Sequence, residues 1–173
     1  MEREELCEWL NTLIRKTGLE LADNVDITDE YREWWKNIET MKKELTTIGL
    51  TFCVYGEYFD LEALTRIIGF PPTMQAYKGD ALKRRISEET FWEYKFASME
   101  TLYISDCLAV FEQKVHPFLE ELSAFIKTHQ LTALFRFCVN IYNEEVPALF
   151  FDTSALDLLH QLNGSIDIDQ YIY

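Results

Sequence analysis

Near residue 48 the hydrophobic periodicity of the chain changes, and the change restricts the fold to classes that combine helices with strands. Before this point, apolar residues recur every three to four positions, as they do on one face of an α-helix. After it, Leu50, Phe52 and Val54 alternate with other residues, which is the period of a β-strand with one buried face. All-α and all-β folds are therefore excluded.

Residues 1–46 are predicted to form a helical hairpin that extends a main domain of residues 47–173, itself one compact unit. Two stretches of the segment carry apolar residues at helical spacing, and residues 23–26 between them are typical of a loop. Trp34 and Trp35 are neighbours in the second stretch, so they cannot both face inward on one helix. We expect one of these indoles to be exposed and to act as an interface anchor.

The helices of the main domain are marked by their start and stop signals. Asp60 is placed to cap a short helix, and Gly69 is placed to close it. Pro117 interrupts a longer apolar pattern, which predicts two helices that meet at the proline or a sharp kink. A last helix is expected to be capped by Asp152 or Thr153. The predicted helical segments are residues 61–68, 101–128 and 153–163.

Strands are predicted where apolar residues alternate over short stretches. Residues 143–145 form a predicted turn, which would join the strands before and after it as a hairpin, and residues 73–90 are expected to be a long exposed connection. The order from residue 48 is then β-α-β-α-α-β-β-α-β. This order predicts an α+β fold, with a mainly antiparallel sheet and helices packed on one face. The predicted strands are residues 50–55, 91–96, 134–141, 146–151 and 166–173.

The charge of the chain narrows the classes of partner. Thirty acidic residues against 16 basic ones give a net charge of −14. Nucleic acids and anionic membranes need clustered Lys and Arg, so neither is expected as a partner. Residues 100–173 hold eleven of the acids and three of the bases. This excess has two interpretations: it keeps the protein soluble, or it forms a face complementary to a basic partner.

Cysteine spacing and the absence of targeting signals predict a cytoplasmic protein. The start of the sequence lacks the basic and apolar regions of a signal peptide, and no apolar run has the length of a membrane span. The four cysteines have apolar or aromatic neighbours and no paired spacing. We expect them to be reduced and mostly buried.

The sequence contains no recognisable catalytic or cofactor-binding motif. The three histidines (His116, His129 and His160) lack zinc-site spacing, and no nucleotide-binding glycine loop is present, so no metal or other cofactor is expected. Adjacent carboxylates such as Glu144 and Glu145 point apart on a regular element, and so do not converge on a substrate. An enzyme with a site assembled from scattered residues remains an alternative; its candidate residues are Asp80, Arg84, Trp92 and a histidine.

Asp167 and Asp169 are the carboxylates that the pattern places together. They lie two residues apart on the last predicted strand, so they share one face of it. Two interpretations stay open. The pair binds a cation or a basic partner, or it is the solvated side of an edge strand, where charge discourages aggregation.

From residue 48 onward the chain resembles a bacterial family known as domain of unknown function 4279. The resemblance depends on several short segments that follow one another in the same order as in the family. It does not include residues 1–46. Its structural motif residues here would be Gly56, Asp60, Gly69, Pro72, Gly79 and Trp92. The segments are Phe52–Gly56, Phe59–Thr65, Ile68–Thr73, Lys78–Asp80, the strand around Trp92, and Ile166–Tyr173.

The resemblance implies no established activity, but small acidic α+β families of this kind look like immunity proteins, which bind and block a toxin. We therefore expect a non-enzymatic binding protein that occludes the active site of a basic bacterial toxin domain. A protein-interaction or regulatory module is the alternative, and the scattered-residue enzyme is the second alternative. The candidate partner-binding residues are Glu144, Glu145, Asp157, Asp167, Asp169, Trp34 and Trp35.

Overall fold

The structure is a computed structural model that describes residues 45–83 and 85–173. These residues belong to one compact unit, Glu44–Tyr173. The predicted N-terminal hairpin, with Trp34 and Trp35, lies outside the described residues, and so does Arg84. The boundary between residues 46 and 47 therefore stays a prediction.

The described residues contain a six-stranded sheet whose central strand is β1. Strand β1 runs antiparallel to β3 on one side and to β5 on the other, and β4 pairs with the start of β1. Strand β2 extends the sheet beyond β3, while β6 lies parallel to β5 at the opposite edge. The order is therefore β2-β3-β1-β5-β6. The strands are β1 (Thr47–Gly56), β2 (Met74–Ala76), β3 (Thr90–Lys95), β4 (Met99–Glu100), β5 (Thr132–Ile141) and β6 (Gly164–Ile172).

The helix capping and break signals of the sequence are confirmed, although the second helical segment begins three residues later and the last helix ends two residues earlier than predicted. The Asp60 carboxylate accepts hydrogen bonds from the backbone N–H groups of Glu62 and Ala63, and Gly69 ends the helix with φ +76°. A 3₁₀ turn that contains Pro117 separates the two middle helices, as predicted. The Asp152 carboxylate caps the last helix. The helices are α1 (Leu61–Ile68), α2 (Ile104–Val115), α3 (Leu119–Thr128) and α4 (Thr153–Gln161).

The core lies between these helices and one face of the sheet, which confirms the predicted α+β class. Strand β5 alternates strictly between half-buried and buried residues, so only one of its faces joins the core. Trp92 on β3 is fully buried and packs beside Phe52 and Phe70. The buried residues that the strands contribute to this core are Ile48, Leu50, Phe52, Val54, Trp92, Ala133, Phe135, Phe137, Val139 and Ile141, and Phe96 adds to them directly after β3.

The predicted hairpin after residue 141 is wrong. Residues 146–151 do not form a strand; within them, Ala148 makes one isolated bridge to Tyr103. Pro147 has no N–H to donate, so a regular ladder through this segment would be interrupted. The neighbour of β5 is instead β6, which returns through α4 and is therefore parallel. The predicted connection 73–90 also contains a short strand, β2.

Candidate functional site

The second face of the sheet, opposite the core, carries charged side chains from several strands. Directly paired residues share a face, and one such row runs across four strands: Lys95, Thr51, Arg136 and Asp167. None of the helices in residues 45–83 and 85–173 packs on this face, since their buried side chains join the core on the other side. We call this surface the open face.

Arg136 lies at the centre of the open face, between two carboxylates. Its Nε atom is 3.4 Å from Asp167 Oδ2, and its Nη1 atom is 3.9 Å from Glu93 Oε2. The Arg136 side chain is 42% exposed, so water screens both pairs and each contributes little to stability. The one guanidinium therefore has two acidic neighbours, and the charge left around it is negative.

Beside Arg136, the open face contains a concavity of about 370 Å³. Its lining includes Glu88, Glu89 and Glu93 together with Arg85 and Arg136. Acidic groups outnumber basic ones there, as on the surrounding surface. The concavity mixes both signs of charge with apolar side chains such as Met74, Phe91 and Leu134. This mixture favours a protein side chain over an anionic small molecule as its occupant.

The thiols of Cys53 and Cys107 are buried, and burial makes them poor nucleophiles. Burial raises the pKa of Cys53, which also lines the concavity, to about 12, and the negative charge of Glu93 adds to the rise. Burial likewise raises the pKa of Cys107 to about 11. A nucleophilic cysteine needs a lowered pKa, so both thiols stay protonated at neutral pH and neither is suited to catalysis.

The described part of the chain has neither a metal cluster nor a membrane-crossing helix. In residues 45–83 and 85–173, no group of three or more His, Cys, Asp or Glu side chains is arranged to hold a metal ion. Within the same residues, each helix is too short or too polar to cross a bilayer.

The model of a protein family, domain of unknown function DUF4279, matches residues 44–173. The chain belongs to the DUF4279 family. The comparisons with curated proteins and with solved structures returned no match. The family match covers the whole sheet and all the helices described above, so the DUF4279 domain is the α+β unit itself.

The residues predicted as structural motif positions lie in the core, at helix ends and in turns of the DUF4279 domain. The indole Nε1 of Trp92 donates to Thr65 Oγ1 at 3.0 Å, which joins β3 to α1. Asp60 and Gly69 cap the two ends of α1. The remaining motif positions lie at the end of β1 (Gly56), in the loop before β2 (Pro72) and in a turn with φ +92° (Gly79). These residues have structural explanations that need no active site.

The DUF4279 domain brings only some of the predicted partner-binding residues together. Asp167 and Asp169 are both exposed on the open face. Asp157 is exposed on α4, in the helical layer behind the sheet. Glu144 and Glu145 lie in the turn at the far end of β5, where Glu144 has φ +60°. The predicted set is therefore spread over three parts of the surface rather than one face.

The residues proposed for an enzyme site do not converge. The Asp80 carboxylate accepts a hydrogen bond from the backbone N–H of Tyr77 and so stabilises a turn. The Trp92 side chain is buried in the core. His116, His129 and His160 lie at or near helix ends, and Arg84 lies outside the described residues. No two of the described candidates share a site.

Sequence reasoning missed Glu93 and Arg136, the two central charges of the open face. Both lie on predicted strands, at positions that alternate with core residues. Periodicity alone could therefore have placed their side chains on the face opposite the core. Their pairing with each other and with Asp167 depends on the order and register of three strands, which periodicity does not contain.

Proposed function

We propose that this DUF4279 domain is a non-enzymatic binding protein that neutralises a basic toxin domain by covering its active site. The observation that carries the proposal is the exposed pair Asp167 and Asp169 on the open face, beside an arginine whose charge is already matched. This arrangement leaves an excess of negative charge on the β6 side of the open face.

The physical basis of the proposal is electrostatic complementarity. A chain of net charge −14 attracts a basic partner over a distance, and exposed carboxylates orient the encounter. The active sites of enzymes that act on nucleic acids are rich in Lys and Arg, because they must bind phosphates. A surface of this kind would occupy such a cleft and exclude the substrate from it.

The raised pKa values of Cys53 and Cys107, and the burial of the Trp92 side chain in the core, support binding over catalysis. A regulatory interaction module would use the same surface. A toxin-neutralising protein and a regulatory module differ in the activity of their partner, so the test must measure that activity as well as binding.

The test is affinity capture from the native cell with the full-length chain, followed by a growth assay of the captured protein. Three baits are compared: the natural chain, the Asp167→Asn/Asp169→Asn variant, and the Glu120→Gln/Glu121→Gln variant. The last removes the same charge from exposed positions on α3, in the helical layer. Capture is repeated at low and moderate salt, because exposed charges are screened as ionic strength rises.

We expect the natural chain and the Glu120→Gln/Glu121→Gln variant to retain a basic protein, and the Asp167→Asn/Asp169→Asn variant to lose it. Expression of that protein alone should stop growth, and co-expression of the natural chain should restore it. A partner that is harmless to the cell favours the regulatory module. A partner retained equally by all three baits contradicts the role of the open face.

A further inference from the structure

Strand β6 is a long edge strand, and among the described residues one of its sides has no neighbouring strand. It has nine residues and, among the described strands, it pairs only with β5. The opposite edge of the sheet is β2, which has three residues. Proteins commonly shorten an edge strand to keep it from pairing with other chains. One edge of this sheet is shortened in that way, and the other is left long.

The direction of the hydrogen bonds along β6 identifies the backbone groups that have no partner strand within residues 45–83 and 85–173. Asn163 O accepts from Ala133 N at 3.3 Å, and Tyr173 N donates to Ile141 O at 3.0 Å, so odd-numbered residues direct their backbone groups toward β5. Backbone groups alternate in direction along a strand. The N–H and C=O groups of Ile166, Ile168 and Gln170 therefore point outward, away from the sheet.

We propose that β6 is the recognition element of this domain and that it accepts an extended, basic segment of the partner protein as an additional strand. The proposal rests on the function proposed above, since it assumes a basic protein partner. Addition of a strand to a sheet edge is a general mode of recognition, in which main-chain hydrogen bonds give affinity and alternate side chains give specificity.

The side chains of β6 specify the added strand. Asp167 and Asp169 are exposed on the open face, whereas Ile166 and Ile168 lie on the core face and are half-buried at its margin. A strand placed beside β6 would meet carboxylates on one face and apolar side chains on the other. The complementary segment has Lys or Arg at alternate positions and β-branched residues between them.

The same aspartates disfavour pairing of β6 with a second copy of this chain. Antiparallel pairing centred on Ile168 would place Asp167 of one copy opposite Asp169 of the other, twice. Pairing centred on either aspartate would place that residue opposite itself. Like charges directly opposite each other destabilise a strand pair. These three registers are therefore disfavoured for a second copy, whereas a basic strand in the same registers would meet opposite charges.

Gln170 offers a substitution that blocks the edge and spares the sheet. Its side chain is exposed and its N–H points outward, so Gln170→Pro removes one free donor and no hydrogen bond to β5. Proline is tolerated on edge strands at positions of this kind. The matched control is Gln170→Thr, which keeps the N–H.

The test uses the full-length chain and three capped nine-residue peptides: alternating lysine and valine, the same residues with the lysines in one block, and alternating threonine and valine. Binding is followed by NMR amide shifts and by hydrogen exchange at Ile166, Ile168 and Gln170. We expect the alternating lysine peptide to bind and to protect these amides. Its affinity should fall about tenfold in Gln170→Pro, which loses one hydrogen bond, and be unchanged in Gln170→Thr.

The outcomes separate the recognition mode from the proposed function. If the blocked and alternating lysine peptides bind equally and Gln170→Pro has no effect, recognition of a basic partner stands and strand addition is wrong. If only the threonine–valine peptide protects the β6 amides, strand addition stands and the basic partner is wrong. Absence of protection by all three peptides overturns the proposal. Hydrogen-exchange protection of the β6 amides is measured in the natural chain, so this part of the test does not depend on whether the Gln170→Pro variant folds.

Discussion

The indole Nε1 of Trp92 donates to the hydroxyl of Thr65 at 3.0 Å, and this bond fixes α1 against β3 from inside the core. The Trp92 side chain is fully buried. The Thr65 hydroxyl is itself held in place, because it donates to the Leu61 carbonyl one turn earlier at 2.8 Å. A short chain of hydrogen bonds thus connects the helix backbone to the largest side chain of the core.

Substitution of Thr65 by valine should destabilise the domain by about 1–3 kcal/mol, because the buried indole N–H loses its acceptor while the shape of the site is kept. Thr65→Ser keeps the hydroxyl and is the control, with a smaller expected loss. The free energy of unfolding is measured by urea titration. A Thr65→Val variant as stable as Thr65→Ser would show that the hydrogen bond contributes nothing.

Gly69 supports a second prediction, since it ends α1 with φ +76° and has no atom within 4 Å of an added Cβ. Gly69→Ala should therefore cost about 1 kcal/mol through backbone strain alone. Gly69→Asn should cost less, because asparagine tolerates the left-handed region. The two variants are compared in the same urea titration. Equal losses in both would assign the cost to something other than the backbone angle.

These local features were predictable because their signals are local. The caps Asp60 and Gly69, the break at Pro117 and the alternation of β5 each follow from residues a few positions apart. The sequence also predicted that Asp167 and Asp169 share a face, which is again a property of one strand. Hydrophobic periodicity and the helix start and stop signals were sufficient for the fold class.

The errors concern pairing between distant segments. Residues 146–151 form an apolar run of the length of a strand, yet the side of β5 that faces away from β1 is paired with β6, which follows α4. The contact of Arg136 with Asp167 depends on this parallel register and joins residues 31 positions apart. Alternation specifies which face a side chain occupies, and it does not specify which strand lies next to it.

The raised pKa of Cys53 gives a prediction on stability at high pH. Burial raises this pKa from 9.0 to about 12, so above pH 9 the unfolded chain loses the thiol proton while the folded chain keeps it. Stability should be fully present below pH 9 and fall as the pH rises toward 12. Unfolding by urea is measured at pH 8 and pH 10.5. Cys53→Ala should show a smaller fall than the natural chain; an identical fall in both would assign the effect to other groups.

Thiol labelling provides a separate measurement of the same burial. At pH 8 a thiol whose pKa is about 12 has far less thiolate than an ordinary cysteine, so Cys53 should react at least about a hundredfold more slowly than it does in urea. Cys107, with a pKa of about 11, should also be slow. Labelling is followed by mass spectrometry of the digested protein. Rapid modification of Cys53 in the folded chain would contradict its burial.

Arg136 separates the role of the open face in binding from its role in stability. Its contacts with Asp167 and Glu93 are exposed pairs, so Arg136→Gln should change the free energy of unfolding by less than about 1 kcal/mol. The substitution releases Asp167, which lies next to the free edge of the sheet, for contact with a basic strand.

Binding of the alternating lysine–valine peptide should therefore tighten in Arg136→Gln by about twofold to fivefold, the range expected for one exposed ion pair. Lys95→Gln is the control, because it removes the same charge from the same face but lies three strands away from β6. The dissociation constants of the natural chain and both variants are measured at low and moderate salt. An equal gain in the two variants would mean that the peptide responds only to net charge, whereas a larger gain in Arg136→Gln places the contact at Asp167.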